Sequence, residues 1–547
     1  MKFKILLAGA AAFSLVVAAP AQSPAPTFSA DSFRAHVTHL ADDRLGGREA
    51  GTAGYDLGAR YVAEQFQALG LRPAMADGAW LQPVGFLRYR VTGTPRLSVG
   101  RRDYRLSDTV SFRPTPEASV RLEAPAVFAG FGLDAPEYGA NDFEGLDVRG
   151  KIVVVFAGLS PNASRDIPSD VAAHLFQTRR AMAARRGAIG VIEISTRPVT
   201  PRSSTAAAQA AAARPGATWA QANGEGYSDA PGLRFHATVD VATAQAMFPV
   251  ASDRLTGALR AATAGASPRG FDLGQTVAVA QDNAVERFTS PNVLAVIPGT
   301  DPALASEYVL LMAHLDGLGT RAPRDGDAPD EDRIRNGAMD NATGVATLIE
   351  VARAMTREGN RSRRPILLAA VTAEEIGLLG ASYLARNVPV DGRVISVVNL
   401  DMPILTYDFQ DVTAFGAEHS TMGPIVARAA ERMGVAVSPD PLPQQSLFVR
   451  SDHYRFVQAG VPSVFLMTGF ANGGRERFQG FLDTEYHSPR DDLSLPFNWQ
   501  AGARFAQLNY LIAREIADGP EAPRWYADSY FGKTLGGNQP RAARPAG

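Results

Sequence analysis

Tyr308-Val-Leu-Leu-Met-Ala-His-Leu-Asp316 joins a short apolar run to two polar residues. Two later apolar runs end in a similar way, one at Glu374-Glu375 and one at Asp401. Short apolar runs that stop at polar residues are typical of buried parallel strands. The carboxyl ends of such strands meet at one edge of a sheet, where ligands bind in open α/β folds. We therefore expect these polar side chains to lie close together.

The segment between the first two runs has helical composition. Asp340-Asn-Ala-Thr-Gly344 is followed by Val345–Met355, which is typical of a helix. The pattern predicts a strand–helix–strand unit. It also places Asp340 at a helix N-terminus, where backbone N–H groups favour an ionised carboxylate.

The candidate ligands are nitrogen and oxygen donors without thiolates: His314, Asp340, Glu375, Asp401 and His487. This set suits zinc, and cobalt or manganese fits the same ligand types. Two metals that share one carboxylate need about five ligands, and Asp340 is the best candidate for the bridge.

Three further residues have predicted roles around the metals. Asp316 can accept the second ring N–H of His314 and fix its tautomer. Glu374 can take a proton from metal-bound water while its neighbour binds metal. Tyr486 can point its hydroxyl at a developing oxyanion, although a packed tyrosine explains it equally well. His453 is either a pocket residue or a structural one.

With these residues identified, the chain resembles the co-catalytic di-zinc aminopeptidase family, which includes glutamate carboxypeptidase II and transferrin receptor relatives. The resemblance covers nearly all of the mature chain. It is carried, in order, by Leu40–Arg48, Asn292–Gly299, His314–Asp316, Asn336–Gly344, Thr372–Glu375, Asn399–Asp401, Ser451–His453 and Tyr486–Pro489.

The resemblance implies that His314 and Asp401 bind one zinc, that Glu375 and His487 bind a second, and that Asp340 bridges them. It also implies that a hydroxide bridging the metals attacks the scissile carbonyl.

The same resemblance makes Glu374 the general base and Asp316 the residue that orients His314. Tyr486 matches a tyrosine that only some relatives keep. Gly317 stands where many relatives have a second histidine, which is not a usual metal ligand. Thr343 conservatively replaces a common serine.

The implied fold is α/β, a three-layer α/β/α zinc-exopeptidase fold with a mixed, mostly parallel sheet. We expect a discontinuous catalytic domain at 22–117 and 276–518. A β-rich insert at 118–275 looks like a protease-associated (PA) domain, from Gly130–Leu133 and Val148–Val155. Residues 519–547 form a tail whose end is predicted to be disordered. Residues 196–226 and 469–480 are predicted to be loops, and Gly46-Gly-Arg48 a turn near the cleft.

The N-terminus predicts export. Met1–Lys4 is basic, Ile5–Ala19 is apolar, and Ala19-Pro-Ala21 is a small-x-small cleavage site, so residues 1–21 are typical of a signal peptide. We expect a periplasmic or secreted protein without a membrane anchor. The chain has no cysteine and a net charge of -2, which gives no indication of a nucleic-acid partner. Peptides are the expected partners, and the oligomeric state is open.

The sequence favours an exported zinc aminopeptidase and leaves three alternatives. A carboxypeptidase acting on acidic C-terminal residues would use the same metals with an Arg-lined pocket, for which Arg475, Arg477 and Arg490 are candidates. A glutaminyl-cyclase-like acyltransferase would use a single zinc. An inactive peptide-binding module would have lost ligands, and none is missing here.

Overall fold

The computed structural model describes residues 26–158, 167–196, 215–357 and 359–545. The predicted signal peptide and residues 197–214 of a predicted loop lie outside these ranges. The strands are, in chain order, β1 (Arg72–Pro73), β2 (Leu81–Val99), β3 (Arg102–Arg105), β4 (Val110–Phe112), β5 (Ser119–Phe128), β6 (Asp134–Ala135), β7 (Ala140–Asn141), β8 (Ile152–Phe156), β9 (Gly190–Ser195), β10 (Gly216–Trp219), β11 (Phe235–Asp240), β12 (Phe271–Ile297), β13 (Glu307–His314), β14 (Ile366–Val371), β15 (Arg393–Leu400), β16 (Asp411–Phe415), β17 (Ala436–Ser438) and β18 (Ser463–Thr468).

The α-helices are α1 (Ala30–Leu40), α2 (Ala53–Ala68), α3 (Ser169–Arg185), α4 (Val241–Met247), α5 (Ser252–Thr263), α6 (Thr343–Thr356), α7 (Leu379–Leu384), α8 (Met422–Glu431), α9 (His453–Gln458), α10 (Gly474–Thr484), α11 (Trp499–Asp518) and α12 (Tyr530–Leu535). No helix in the described ranges combines the length and apolar character needed to cross a membrane.

The centre of the sheet is parallel. Strand β13 pairs in parallel with β14 on one side and β15 on the other, and β15 pairs in parallel with β18. Antiparallel strands flank this centre, with β12 beside β14 and β16 beside β18. The predicted strand–helix–strand unit is confirmed as β13–α6–β14, and the sheet is mixed and mostly parallel, as predicted.

Helices cover both faces of this central sheet. Val309 and Leu311 of β13 belong to the core cluster that contains α1, α6 and α11. Leu310 and Met312 point to the opposite cluster, which includes residues of α7 and α9. Neighbouring residues of a strand face opposite sides of the sheet. A strand in a sheet that is covered on both faces is therefore apolar at every position. The predicted three-layer α/β/α arrangement is therefore confirmed.

Strand β12 joins the central sheet to a second sheet region. It is 27 residues long, and β2 pairs with it antiparallel from Val277 to Val293. Its first half also pairs with β5, from which β8, β9 and β11 continue in parallel. The domain limits at 118 and 275 stay a prediction. Strand β4, before residue 118, pairs with β11 inside the predicted insert.

Three local expectations are wrong. Part of the predicted loop at 196–226 is strand β10, whose Trp219 is buried and stacks on Tyr227. Part of the predicted loop at 469–480 belongs to α10, which buries Phe478 and Phe481 despite its glycines. The C-terminal end is bonded to the fold at Ala542, whose N–H donates to the carbonyl of Trp525. In each case tertiary contacts override a polar or small-residue composition.

Candidate metal centre and active site

The ends of three strands converge at one edge of the sheet. His314 is the last residue of β13 and is in register with Val371, the last residue of β14. Asp401 directly follows β15, which lies on the other side of β13. The expected edge is therefore present, with Glu374 and Glu375 three and four residues beyond β14.

Two groups of possible ligands share Asp340. The Nε2 atom of His314 lies 3.2 Å from Asp340 Oδ1 and 3.3 Å from Asp401 Oδ1. The Nε2 atom of His487 lies 3.2 Å from Asp340 Oδ2 and 3.3 Å from Glu375 Oε2. Each oxygen of Asp340 thus faces a different histidine. The structure brings together all five residues proposed from the sequence, in two groups that could each hold a metal ion.

The donor chemistry and spacing fit zinc. A tetrahedral zinc ion with bonds of about 2.0–2.1 Å places neighbouring ligand atoms about 3.3 Å apart. The four nitrogen–oxygen distances in the two groups are 3.2 to 3.3 Å. The clustering of buried carboxylates also indicates a metal ion. Buried like charges repel one another unless a cation lies between them.

The surroundings of Asp340 shift its pKa downwards. Burial raises the pKa of this carboxyl, but hydrogen bonds from His314 and His487 outweigh burial and hold the pKa below its ordinary range. Burial lowers the pKa of His487, while its bonds to Asp340 and Glu375 raise it to about 10. Asp340 is therefore held as an ionised carboxylate, which a bridging ligand must be.

Asp316 supports the Glu374-Glu375 doublet. Its Oδ1 accepts the N–H of Glu374 at 3.1 Å, and its Oδ2 accepts that of Glu375 at 3.3 Å. The sequence predicted that this carboxylate would accept the ring N–H of His314. The acceptor within reach of His314 Nδ1 is instead the backbone carbonyl of Asp316 at 3.1 Å, and the carboxylate is 4.0 Å away. The side chain is turned towards the two glutamate N–H groups.

Glu374 has a strongly shifted carboxyl group. Burial raises its pKa well above the ordinary value, His314 lowers it, and the charges of Glu375 and Asp452 raise it further. Burial likewise raises the pKa of Glu375 to about 7, with Asp340 adding to the effect. A carboxyl group with a raised pKa is suited to hold a proton that it accepts and to return it.

Tyr486 and His487 form a stacked pair that faces the carboxylates. Their ring centroids are 3.7 Å apart with an interplanar angle of 24°. Burial raises the pKa of Tyr486, and the charges of Asp340, Glu375 and Asp401 raise it further. The phenol therefore stays protonated and can donate a hydrogen bond near the two candidate metal positions.

Part of the chain is similar to known proteins. Residues 292–513 match the family model described as Peptidase family M28. The match covers less than half of the chain, and it shows that residues 292–513 are similar to peptidase family M28. The matched segment contains the central sheet from the end of β12 and all five candidate metal ligands.

Individual relatives match shorter segments. A 120-residue segment is 31% identical to leucine aminopeptidase 1 of Trichophyton rubrum and covers 21% of this chain and 29% of that protein. A 150-residue segment is 29% identical to aminopeptidase NAALADL1 of Mus musculus and covers 26% and 18%, respectively. The match thus spans less than a third of either relative. Among solved structures, an aminopeptidase from Aneurinibacillus sp. strain AM-1 is 19% identical with a TM-score of 0.48, covering 90% of this chain and 94% of that one.

Asp491 is a residue of the candidate metal site that could not be predicted from the sequence. The helix α6 begins at Thr343, so Asp340 precedes it by three residues in a non-helical conformation, not at its first turn. The buried carboxylate of Asp491 accepts the N–H of Met339 at 2.7 Å and that of Asp340 at 3.0 Å. Burial raises the pKa of Asp491 to about 7, and the charge of Asp340 adds to this. Asp491 therefore holds the backbone that carries the shared carboxylate.

Arg48 is the second missed residue, and it lies buried beneath the same site. Its guanidinium donates to the carbonyl of Leu315 at 2.9 Å, to that of Asn336 at 2.6 Å and to that of Gly337 at 3.0 Å. Burial lowers its pKa to about 10, while the charges of Asp491 and other acidic residues raise it. The sequence signal was Gly46-Gly47, whose positive φ angles shape the turn that delivers the arginine.

Ser451 and Asp452 complete the surroundings of Asp401. The Ser451 hydroxyl donates to Asp401 Oδ2 at 2.6 Å and accepts from the Asn399 amide at 2.7 Å. Both oxygens of Asp452 are buried without a hydrogen-bond partner among the described residues, and burial raises its pKa to about 8. His453 is fully buried with Nε2 at 2.8 Å from the Phe448 carbonyl, which agrees with the structural alternative.

The arginines suggested for an acidic-substrate pocket make other contacts. Arg475 lies over the ring of Phe470 at 4.8 Å, and Arg490 donates to the carbonyl of Thr484. Arg477 is exposed on α10.

Proposed function

We propose that this protein is an exported zinc-dependent aminopeptidase that holds two zinc ions. The observation that carries the proposal is the pair of ligand groups joined by Asp340, with His314 and Asp401 on one side and Glu375 and His487 on the other. The family match supports a zinc peptidase. Export rests on the N-terminal sequence pattern, and the discontinuous catalytic domain with a PA-like insert belongs to the same proposal.

The five ligands define what each metal would contact. His314 and Asp401 would hold one zinc, Glu375 and His487 the other, and Asp340 both. When bound, a zinc pair supplies Lewis-acid polarisation of the scissile carbonyl and lowers the pKa of the attacking water. Ser451 keeps Asp401 oriented through its 2.6 Å hydrogen bond.

The protein residues move and hold the protons. Glu374 takes a proton from the attacking water and returns it to the leaving amine, for which its raised pKa is suited. Asp316 fixes the backbone of Glu374 and Glu375, so the proton acceptor and the ligand keep their relative positions. The protonated Tyr486 donates a hydrogen bond to the developing oxyanion.

The aminopeptidase specificity is supported by the names of two relatives, a leucine aminopeptidase and the aminopeptidase NAALADL1. A free N-terminal amine is mostly protonated at neutral pH. Its positive charge can be accommodated among the carboxylates of this site.

The test is a mass-spectrometric digest of a peptide pool by the zinc-loaded mature protein, with each peptide supplied both free and N-acetylated. We expect residues to be lost from the N-termini of the free peptides only. Loss from the C-termini of both sets would assign a carboxypeptidase instead. No cleavage, with two zinc ions per chain confirmed by elemental analysis, would refute the peptidase proposal.

A further inference from the structure

A cavity of about 670 Å³ lies between the second sheet region and the central sheet. On one side it is lined by residues of β2, α3, β9 and β11, and on the other by residues of α7, α9 and the segment after Glu375. Its volume falls within the range of about 300–1,000 Å³ that is usual for ligand pockets.

The cavity lining carries an excess of positive charge. Four arginines line it (Arg113, Arg179, Arg180 and Arg455) against two carboxylates (Glu193 and Asp229). The two carboxylates are already paired. Glu193 lies 2.6 Å from Arg179 Nη2 and 3.0 Å from His236 Nε2, and Asp229 lies 3.1 Å from Arg455 Nη1.

Among the described residues, the cavity lining contains arginines without an ion pair and buried guanidinium nitrogens without an acceptor. Within these ranges, neither Arg113 nor Arg180 forms an ion pair, and Nη1 of Arg180 lies 3.2 Å from Nδ1 of His236. Arg179 is 5% exposed, and its Nη1 atom is buried with no hydrogen-bond partner among these residues. A buried guanidinium N–H without an acceptor is costly. Arg113, Arg179 and Arg180 therefore indicate that the cavity binds an anionic ligand.

Two short segments of the cavity lining adjoin residues of the candidate metal site along the chain. Ile376 and Gly377, which line it, directly follow Glu375. Arg455 Nη2 donates to the carbonyl of Gly377 at 2.8 Å, and Arg455 lies on α9, three residues after Asp452. A peptide anchored at the metals could therefore extend along this wall into the cavity.

We propose that this cavity binds a carboxylate group of the peptide substrate through Arg113, Arg179 and Arg180. Guanidinium groups bind carboxylates in bidentate, charge-assisted hydrogen bonds. The choice of a substrate carboxylate over another anion rests on the proposed peptidase function. The C-terminal carboxylate of a short peptide is the proposed occupant, and the experiment shows whether an acidic side chain can replace it.

The test compares three tripeptides: Leu-Gly-Gly, its C-terminal amide, and Leu-Gly-Asp amide. We expect the wild type to prefer Leu-Gly-Gly over its amide by about ten- to hundredfold in kcat/KM, since charge-assisted hydrogen bonds are at stake. The doubly substituted Arg113→Gln/Arg180→Gln protein should lose this preference, mainly through a rise in KM. Both side chains are exposed, so the fold should survive. If Leu-Gly-Asp amide is hydrolysed as efficiently as Leu-Gly-Gly, the site also accepts side-chain carboxylates, and if it is hydrolysed no better than Leu-Gly-Gly amide, the site accepts only the C-terminus.

A matched control removes the same charge elsewhere. Arg60 and Arg260 are exposed on α2 and α5, and Arg60→Gln/Arg260→Gln should keep the wild-type preference. An unchanged preference in the Arg113/Arg180 double variant, or no preference in the wild type, would overturn the proposal.

Calorimetry with N-acetyl-Leu-Gly-Gly and its amide separates this site from the proposed activity. If no tripeptide is hydrolysed but the acid still binds more tightly than the amide, the peptidase proposal fails and the carboxylate site stands. If hydrolysis occurs and acid and amide bind equally, the carboxylate site fails and the peptidase proposal stands.

Discussion

Asp491→Asn tests how the shared ligand Asp340 is positioned. The carboxylate of Asp491 is 2% exposed and accepts one backbone N–H on each oxygen, from Met339 at 2.7 Å and from Asp340 at 3.0 Å. Asparagine keeps one acceptor oxygen but replaces the other with an NH₂ group. One of the two backbone donors would then face another donor at hydrogen-bond distance, and the segment carrying Asp340 should shift.

The magnitude follows from the bond that is lost. A hydrogen bond to a charged group contributes about 1.5–3 kcal/mol, and a buried donor left without an acceptor adds a similar penalty. Removing a residue that orients a metal ligand typically weakens metal binding by about 10–100-fold, which is about 1.4–2.7 kcal/mol. Both estimates are at least about 1.4 kcal/mol, so we expect zinc affinity to fall by at least tenfold.

Zinc affinity is measured by competition with a chelator, at about pH 8 so that Asp491 is ionised in the wild type. Asp492→Asn is the matched control, since Asp492 caps the Ser494 N–H at 2.7 Å and asparagine can do the same. It should bind zinc as the wild type does. Wild-type affinity and kcat/KM in Asp491→Asn would refute the claim that this carboxylate positions Asp340.

Three further predictions test other parts of the molecule. The Glu374→Gln variant should keep its zinc content, but its kcat should fall by about 10²–10⁴-fold because glutamine cannot accept a proton. Full activity of this variant would exclude Glu374 as the base. His487→Ala should lower zinc stoichiometry in elemental analysis, and an unchanged stoichiometry would remove it from the ligand set. Burial raises the pKa of Glu350, but hydrogen bonds from His36 and Arg353 lower it to about 2. Its stabilisation should therefore be full above about pH 4.5 and be lost as the pH falls towards 2. Denaturant unfolding of Glu350→Gln should show a flatter pH dependence than the wild type over this range, and an identical slope would contradict the assignment.

The central sheet could be predicted because its strands carry a strong local signal. The run before His314 is apolar at every position, and the structure buries both of its faces. Parallel strands that are covered on both faces have continuous apolar sequences of this kind. The residues at their ends followed from the same signal, because His314 and Asp401 stand where the apolar runs stop.

Other elements could not be predicted, since their sequences lack such a signal. Strand β10 is four residues long and lies in a segment rich in small and polar residues, and its buried residues are Thr218 and Trp219. Helix α10 begins at Gly474, directly after Gly473, and a glycine pair is typical of a loop. Phe478 and Phe481 form a buried face only because they pack against the rest of the core. Local composition carries no information about such contacts.

The contacts that support the metal centre follow no local sequence pattern, for a related reason. Each acts on backbone that is remote along the chain: Asp491 on Met339 and Asp340, Arg48 on the carbonyl of Gly337, and Asp316 on the N–H of Glu374. An aspartate or arginine in a loop ordinarily lies in solvent, so only the fold reveals that these charges are buried. The ligand residues could therefore be predicted from the ends of the strands. The positions of their ligand atoms depend on other side chains, which follow no local sequence pattern. This division makes Asp491→Asn a sharper test than a ligand substitution, because it leaves all five donors in place and changes only what holds the one they share.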